Sequence, residues 1–570
     1  MQLQKSYLSE TFDDLRKLYH TCTEKFKDRV LFRQKRGGEY LDVTYRKYAE
    51  DVDAVGTELI ARGLGGKHIM ILGENCYEWV VTYLAVVCGV GIAVPANKDA
   101  DAEQLARVAA CADAEAIVYS DELEQKLSSL PASVTRIPFS ALEEMTVSGN
   151  DRIIAGDRGY IDSVIDPEEL RVLIFTSGST GEPKGVMLSH KNICFGLSEV
   201  AKMIHVDEED RFLSVLPLHY AYECTCGFLL PMYRGATVIY AEGVRHIARS
   251  MRETKPTVFL SVPLLIETLH EKFWENIEKH GDTKRVRRAI AVTNSLLGEV
   301  SRTKAKRRAL GRVLRIFGGE LRLIITAGYA ADPTVLKGWR DLGIHVLHGY
   351  ALTECTPLAA INRDNAFHDA SVGLAFPNTL LDVYDLQPDG TGEIRFKGDN
   401  LMLGYYKNEE LTRRVIRGGW FYTGDVGYID RHGFLFILGR KKNMLVTADR
   451  KNVYPEELEE LLCKATYVKE AVVVGYQDGE RAGDTVVAVI HPDYARIVDT
   501  YGKNFAVSQL DLEMKKAISE INGRIVPHKR ISAYVIHRDE FPRNTSRKII
   551  RAGVAEAARA DYLAKKNRKP

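Results

Sequence analysis

The chain of 570 residues carries almost no net charge, with 78 Lys and Arg against 77 Asp and Glu for a formal +1. Without a bulk field it has no general means of gripping nucleic acid. It also lacks a disulfide framework. Its nine cysteines are scattered and odd in number, the pattern of reduced thiols in a cytosolic enzyme. Cys224-x-Cys226 has no second pair of ligands beside it and reads as structural. The opening Met-Gln-Leu-Gln-Lys-Ser-Tyr has no basic stretch feeding an apolar one, so no secretory signal is expected there. The longest apolar run, Trp79 to Val94, is shorter than the roughly 20 residues a membrane span needs. It holds two glycines and ends at Pro95, and so reads as a buried helix running into a core strand. No internal repeat or low-complexity tract is present.

What is there is an ordinary globular composition, 45% apolar and 27% charged, in a chain longer than the roughly 250–300 residues at which one core stops growing. At least two domains are expected. Phe12, Leu15, Leu18, Tyr19, Cys22 and Phe26 at helical spacing predict an amphipathic opening helix, with Thr11-x-x-Asp14 as its capping box. Short apolar runs at His68–Leu72, Ala116–Tyr119, Val172–Phe175, Thr237–Tyr240, Val258–Leu260, Leu323–Thr326 and His345–Leu347 alternate with helix-length segments. That alternation predicts a layered α/β architecture. After the strand signals of Phe434–Leu438 the charged Gly439-Arg440-Lys441-Lys442-Asn443 breaks the pattern, and a smaller βα pattern follows. The division expected is a large layered α/β domain over 1–439 and a small α+β domain over 440–570. Between Glu271 and Arg322 stand fourteen Lys and Arg and six Asp and Glu. A solvated helical hairpin accounts for them, and a membrane- or carrier-protein-docking face is the alternative.

The most informative stretch runs from Leu173 to His190, where an apolar run feeds Thr176-Ser-Gly-Ser-Thr-Gly-Glu-Pro-Lys184-Gly. Gly178 and Gly181 let backbone N–H groups turn into a concave nest, while Thr176, Ser177, Ser179 and Thr180 offer hydroxyls and Lys184 a point charge. The loop suits phosphate. It is not a Walker loop, because Pro-Lys-Gly leads into a second apolar run instead of Gly-Lys followed by Ser or Thr. This segment resembles the signature of the adenylate-forming superfamily, which includes acyl-CoA synthetases, firefly luciferase and the adenylation domains of peptide synthetases.

Further blocks follow in that family's order. Gly349-Tyr-Ala-Leu-Thr353-Glu354 resembles the block whose tyrosine, here Tyr350, stacks on adenine and whose glutamate, here Glu354, holds Mg²⁺; Ala351 stands where a glycine is usual. Thr326-Ala-Gly328-Tyr329 is similar to the small-residue segment beside adenine, with Tyr329 as a bulky departure. Tyr422-Thr-Gly-Asp425 resembles the ribose-binding block, Gly439-Arg440 the junction pair that reaches the nucleotide, and Lys442 the pivot. Phe541-Pro-Arg-Asn-Thr-Ser-Arg-Lys548 resembles the block carrying the catalytic lysine. Thr447–Glu457 matches the segment lining the thiol tunnel, except that Arg450 replaces a glycine. Leu216–Gly227 resembles the acyl entrance, with His219 at its border. Longer strings, Gly73–Trp79 and Asn362–Asp369, are similar to bacterial long-chain fatty acyl-CoA synthetases in particular.

The resemblance implies an adenylate-forming enzyme fold whose small C-terminal domain is mobile. It also implies ATP-dependent activation of a long-chain fatty acid and release of AMP and pyrophosphate. Lys548, Lys184 and Glu354 would be catalytic, with Thr176 helping Glu354 at Mg²⁺, and Thr353 and Gly328 would join the ATP site. Two anions must meet for that reaction, so lysines and Mg²⁺ suit it, while the carboxylate is already ionised and needs no base. CoA is the expected acceptor, an acyl carrier protein the alternative, and a non-catalytic nucleotide- or lipid-binding relative the reading from another class. The expected location is cytoplasmic, with peripheral membrane contact through 271–322 as an option.

Overall fold

The computed structural model describes residues 7–177, 183–295, 299–477, 483–543 and 549–567. It divides into two compact units. The first is Met1–Asp382 with Arg395–Tyr422 and Ile429–Phe436, and the second is Val383–Ile394, Thr423–Tyr428 and Ile437–Pro570. Two short upstream pieces thus go with the C-terminal unit, which a single boundary at 439/440 does not express.

The first unit contains two large sheets. In one, six strands run parallel in the order His345–Ala351, Leu323–Ala327, Val258–Ser261, Arg211–Ser214, Thr237–Tyr240 and Val30–Arg36, and antiparallel strands close both edges. Leu213, Ile239, Phe259, Ile324 and Val346 from these strands bury against Phe273, Phe317 and Trp339 of the covering helices and turn. The second sheet has the order Gly404–Tyr405, Pro183–Ser189, Leu170–Ser177, Ile92–Ala96, His68–Leu72, Ala116–Tyr119 and Thr135–Pro138. Its first three strands are antiparallel to one another and the rest parallel. Successive strand residues point to opposite faces, so Met70, Leu72, Val94, Ala96, Ile117, Tyr119 and Leu173 share one core with the helix Ala102–Cys111. Val172, Ile174 and Leu188 are buried on the other side.

Trp79–Val94 does form a buried helix, Tyr77–Ala85, and a core strand, Ile92–Ala96, but a π-helical turn, Val86–Val90, separates them. Its loosened carbonyls find donors elsewhere. The guanidinium of Arg16 binds Cys88 O, and His190 Nε2 donates to Val87 O at 3.1 Å. His190 Nδ1 accepts from Leu15 N at 3.1 Å, and burial pushes this histidine down to about 4, which keeps it neutral for the role. The opening helix begins at Leu15 with Asp14 as its N-cap, accepting from Lys17 N. Thr11 is therefore not the cap. The basic region forms three helices instead of a hairpin: Pro263–Lys279, Thr283–Asn294 and Glu299–Leu314.

In the second unit the strands Val468–Tyr476, Thr485–Pro492 and Ala533–Ile536 form a sheet covered on both faces. Alternation sorts the side chains. Ala471, Val473, Val486 and Ala488 pack with Leu458, Leu462, Met514 and Ile518, while Val472, Val474, Val487 and Val489 pack with Val554, Ala558 and Tyr562. A strand covered on both faces is apolar throughout, and Val472-Val-Val474 is such a run. None of the nine cysteines is in a disulfide.

Candidate active site

The strands Leu170–Ser177 and Pro183–Ser189 pair in antiparallel register with Thr176 opposite Lys184 and Ser177 opposite Pro183. Gly178, Ser179, Thr180 and Gly181 lie outside the described residues. Opposed residues of an antiparallel pair point to the same face, so the Thr176 hydroxyl and the Lys184 ammonium flank the end of this ribbon together. Both are half-buried. The edge strand Gly404–Tyr405 pairs with the far side of Pro183–Ser189, Tyr405 opposite Val186, and this register brings the Tyr405 ring beneath Lys184, with Nζ 5.9 Å from its centroid. The Tyr405 hydroxyl then donates to Glu354 Oε1 at 2.8 Å. One tyrosine therefore links the lysine and the carboxylate that the sequence motifs name separately. Nothing in the string Leu-Gly-Tyr-Tyr signals it, because the link depends on strand pairing across more than two hundred residues.

Glu354 sits in the turn Thr353–Cys355, just after the strand that carries Tyr350 and Ala351. Thr353 O accepts from Thr356 N, and Glu354 O accepts from Met402 N at 2.9 Å. The hydroxyl of Thr356 donates to Asn400 O at 2.6 Å and lies 3.0 Å from Asn192 O, which fixes the turn to its surroundings. Tyr350 is buried, its ring 6.0 Å from that of Phe396. Ala351 occupies an irregularity in the pairing with Leu358–Ile361 and needs no glycine there.

Gly328 follows the strand Leu323–Ala327 at φ +112°, with nothing closer than 4.0 Å to a Cβ built on it. A side chain there would be strained by the backbone and not by its neighbours. Tyr329 does not crowd this loop. Half of it is exposed, its phenol oxygen accepts from Leu264 N at the start of the helix Pro263–Lys279, and its carbonyl accepts from His348 Nε2 at 2.9 Å.

In the second unit, Asp425 is buried with its Oδ1 2.8 Å from Arg440 Nε. Arg440 Nη1 also donates to Thr423 O at 3.2 Å, and Asp425 N donates to Thr423 Oγ1 at 3.0 Å. Glu393 accepts from Gly424 N and from Lys441 Nζ, the latter at 2.8 Å. Lys442 is exposed in the turn Lys441–Asn443, and Asn443 Nδ2 donates to Glu456 Oε1 at 2.6 Å. Lys548 lies outside the described residues. On either side of it Arg543 bridges Ile549, and Arg551 binds Glu459 through both guanidinium branches.

His219 is packed inside, its ring 4.3 Å from that of Tyr220, and burial pushes it down to about 4. Its neighbours Leu218 and Ala221, with Tyr83, Pro95, Val172 and Cys224, line a small apolar cavity.

Among the described residues no group of three or more His, Cys, Asp or Glu could hold a metal ion. Mg²⁺ does not require one, since it is commonly held by one or two carboxylates together with substrate phosphates and water. Glu354 suits that arrangement, with one oxygen on Tyr405 and its carboxylate half-buried beside the Thr176–Lys184 end of the ribbon. No helix among the described residues is long and apolar enough to cross a membrane.

A family model described as AMP-binding enzyme matches residues 19–406. The long-chain-fatty-acid–CoA ligase FadD15 of Mycobacterium bovis is 27% identical over 477 residues, covering 79% of this chain and 78% of its own length. The long-chain-fatty-acid–[acyl-carrier-protein] ligase AEE15 of Arabidopsis thaliana is 24% identical over 592 aligned positions, covering 90% and 81%. O-succinylbenzoate coenzyme A synthetase of Bacillus subtilis, solved with ATP and magnesium, shares the fold at TM-score 0.71 and 19% identity, covering 94% and 98%.

Proposed function

The chain belongs to the AMP-binding enzyme family, whose model spans well over half of it, and from that premise we propose that it activates a long-chain fatty acid with ATP and passes the acyl group to a thiol. A carboxylate oxygen attacks the α-phosphorus and the bond to the bridging oxygen of the β-phosphate breaks, so that pyrophosphate leaves. The thiol gives up its proton to water as its sulfur attacks the acyl carbon of the adenylate, and AMP departs with the electron pair of the broken C–O bond.

The observation that carries this reading is the Lys184–Tyr405–Glu354 link, which gathers a cation and a hard carboxylate at the end of the hydroxyl-rich ribbon. Residues 176–181 and Lys184 would hold the phosphates, Glu354 with Thr176 would hold Mg²⁺, Tyr350, Thr353 and Gly328 would border the adenine, and Asp425 with Arg440 would take the ribose. Mg²⁺ supplies neutralisation of phosphate charge when bound. Lys548 brings an ammonium to the attacking carboxylate and the α-phosphate, and Lys442 is the pivot of the small domain. His219 borders the acyl entrance. The acceptor is CoA, as the name of the bacterial relative has it. An acyl carrier protein is the second reading, favoured by the name of the plant relative and by Arg450, an exposed cation held at φ 56°. The location proposed is cytoplasmic, and the exposed Lys284, Arg285, Arg287 and Arg288 of the helix Thr283–Asn294 are the surface offered to an anionic membrane.

Pyrophosphate release that requires both ATP and a fatty acid tests the reading. It should fall by about a thousandfold in Lys548→Ala, the scale of losing one preorganised charge at a transition state. Full adenylation by that variant overturns the assigned mechanism. Supplying CoA or a holo-carrier protein to the preformed adenylate separates the two acceptors.

A further inference from the structure

Tyr405 reaches Glu354 and Lys184 from a strand of only 2 residues. Gly404 is opposite Met187 and Tyr405 opposite Val186. Backbone bonds flank the pair, Leu403 N donating to Met187 O at 2.9 Å and Tyr406 N to Gly185 O at 2.8 Å. Side chains alternate between faces, so a slip of one residue turns the Tyr405 ring away from both groups. At the leading end Met402 N holds Glu354 O at 2.9 Å, and within the strand the Tyr405 amide donates to Thr412 Oγ1 at 2.8 Å. The trailing end is held by a carboxylate from another part of the sheet.

That carboxylate is Asp113. Its Oδ2 accepts from the Tyr406 hydroxyl at 2.7 Å, and its Oδ1 accepts from Lys407 Nζ at 2.6 Å. The Tyr406 ring packs against the core shared with the helix Ala102–Cys111 and lies 5.7 Å from the His68 ring. Hydrogen bonds to an ionised acceptor are the stronger kind. Asp113 and Lys407 are both exposed, however, and an exposed ion pair contributes little to stability. What the contact does fix is the place of two consecutive residues directly after Tyr405.

The backbone on both sides of the contact is strained. Asp113 N donates to Ala110 O at 3.3 Å and Ala114 N to Ala109 O at 2.9 Å. These two bonds close the helix Ala102–Cys111 with a Schellman motif, whose left-handed position is usually glycine. Asp113 occupies that position at φ 51°, and Lys407 opposite it is also left-handed at φ 53°. Glycine would suit either backbone better. Residues held in sparsely populated backbone regions cluster where position matters more than stability. Here two of them meet through their side chains, and one stands two residues from Tyr405.

Resting on the function proposed above, we infer that Asp113 is a positioning residue for the candidate phosphate and Mg²⁺ site: by gripping Tyr406 and Lys407 it keeps Gly404–Tyr405 in the register that puts the Tyr405 hydroxyl on Glu354. Asp113→Gly removes the carboxylate and suits the left-handed backbone, so the helix end is kept while the grip is lost. The full chain with Asp113→Gly, Tyr405→Phe or both is compared with wild type by calorimetry of ATP binding across a series of Mg²⁺ concentrations, without fatty acid. The urea midpoint of Asp113→Gly holds or rises. The Mg²⁺ concentration at which ATP is half bound rises about tenfold, the scale on which hydrogen-bond partners of metal ligands act. That increment disappears in the Tyr405→Phe background, because the two residues act through one contact. An unchanged Mg²⁺ requirement, or the same increment added to that of Tyr405→Phe, overturns the inference. With neither nucleotide nor Mg²⁺ present, the amides of Tyr405 and Tyr406 exchange faster in Asp113→Gly than in wild type, and equal exchange overturns it too. Should Asp113→Gly fail to fold, Lys407→Gly cuts the same contact from its other side and is judged by the same outcomes. Wild type that binds ATP with Mg²⁺ but releases no pyrophosphate with any acid removes the proposed function and leaves the positioning role in place, whereas wild type that binds no ATP at any Mg²⁺ concentration overturns both.

Discussion

Glu223→Gln should change how the stability of the protein depends on pH. The carboxyl is buried, and burial is the dominant cause that lifts it from 4.5 to about 8, with the hydrogen bond from Ser214 pulling weakly the other way. Ser214 in turn receives Asn75 Nδ2 at 2.9 Å. The other titratable groups facing this cluster, Tyr222, Tyr240, Cys224 and Cys226, are themselves pushed up by burial and stay neutral. Between 4.5 and about 8 the folded chain keeps a proton that the unfolded chain has released, so wild-type stability falls as pH rises through that window and levels off above it. The gap, at about 1.4 kcal/mol per pH unit, amounts to about 5 kcal/mol. Glutamine has the same shape and no proton to lose. Urea midpoints measured from pH 5 to pH 9 should therefore diverge, the variant gaining on wild type up to about pH 8 and then holding a constant lead. A difference that does not change with pH would refute the reasoning, since it would mean that Glu223 ionises in the fold as easily as in water.

Asp210→Ala leaves Arg322 without the carboxylate it grips. Although burial pushes Asp210 up, that guanidinium, Thr257 and the amide of Asp207 hold it below the usual range, so the loss should be about 3–5 kcal/mol at neutral pH, shrinking as acid protonates the wild-type carboxyl below its ordinary 3.8, as urea unfolding would show. Gly196→Ala places a Cβ 2.3 Å from Thr356 O, two residues from Glu354. About 1–3 kcal/mol of stability and a higher KM for ATP are expected together, and an unchanged KM would mean that the turn absorbs the push. Arg450→Gly should raise stability by about 0.5–1 kcal/mol, because φ 56° suits glycine. A loss in the same unfolding assay would show that the arginine side chain holds the turn between the paired strands Leu445–Val446 and Asn452–Val453.

How much of this was readable in the chain depends on the distance over which each feature is built. The candidate phosphate ribbon is legible because the chemistry proposed for it is local. Hydroxyls, glycines and one lysine must sit within a few residues to converge on one polyanion, and Thr176 and Lys184 do end up opposed. The sheet of the second unit is legible too, since Val472-Val-Val474 is buried on both faces and needs no period to announce it. Tyr405 is not legible, because its place under Lys184 is set by a strand more than two hundred residues upstream. Nor is the outward turn of Tyr329, which depends on Leu264.

The same contrast separates the reaction from its substrate. The cavity behind the ribbon takes its lining from the two strands of the ribbon, two helices, the strand of Pro95, the π-helical segment Glu223–Leu229 and the turn at Thr356. Apart from Thr356, whose hydroxyl fixes the turn that carries Glu354, these lining positions make no hydrogen bond to Thr176, Lys184 or Glu354 in the proposed phosphate site. A single change such as Tyr83→Ala alters the volume of that cavity and removes no hydrogen bond of Glu354. The residues that carry the motifs and those that line the cavity are therefore largely separate sets, and chains with the same motifs need not prefer the same acid.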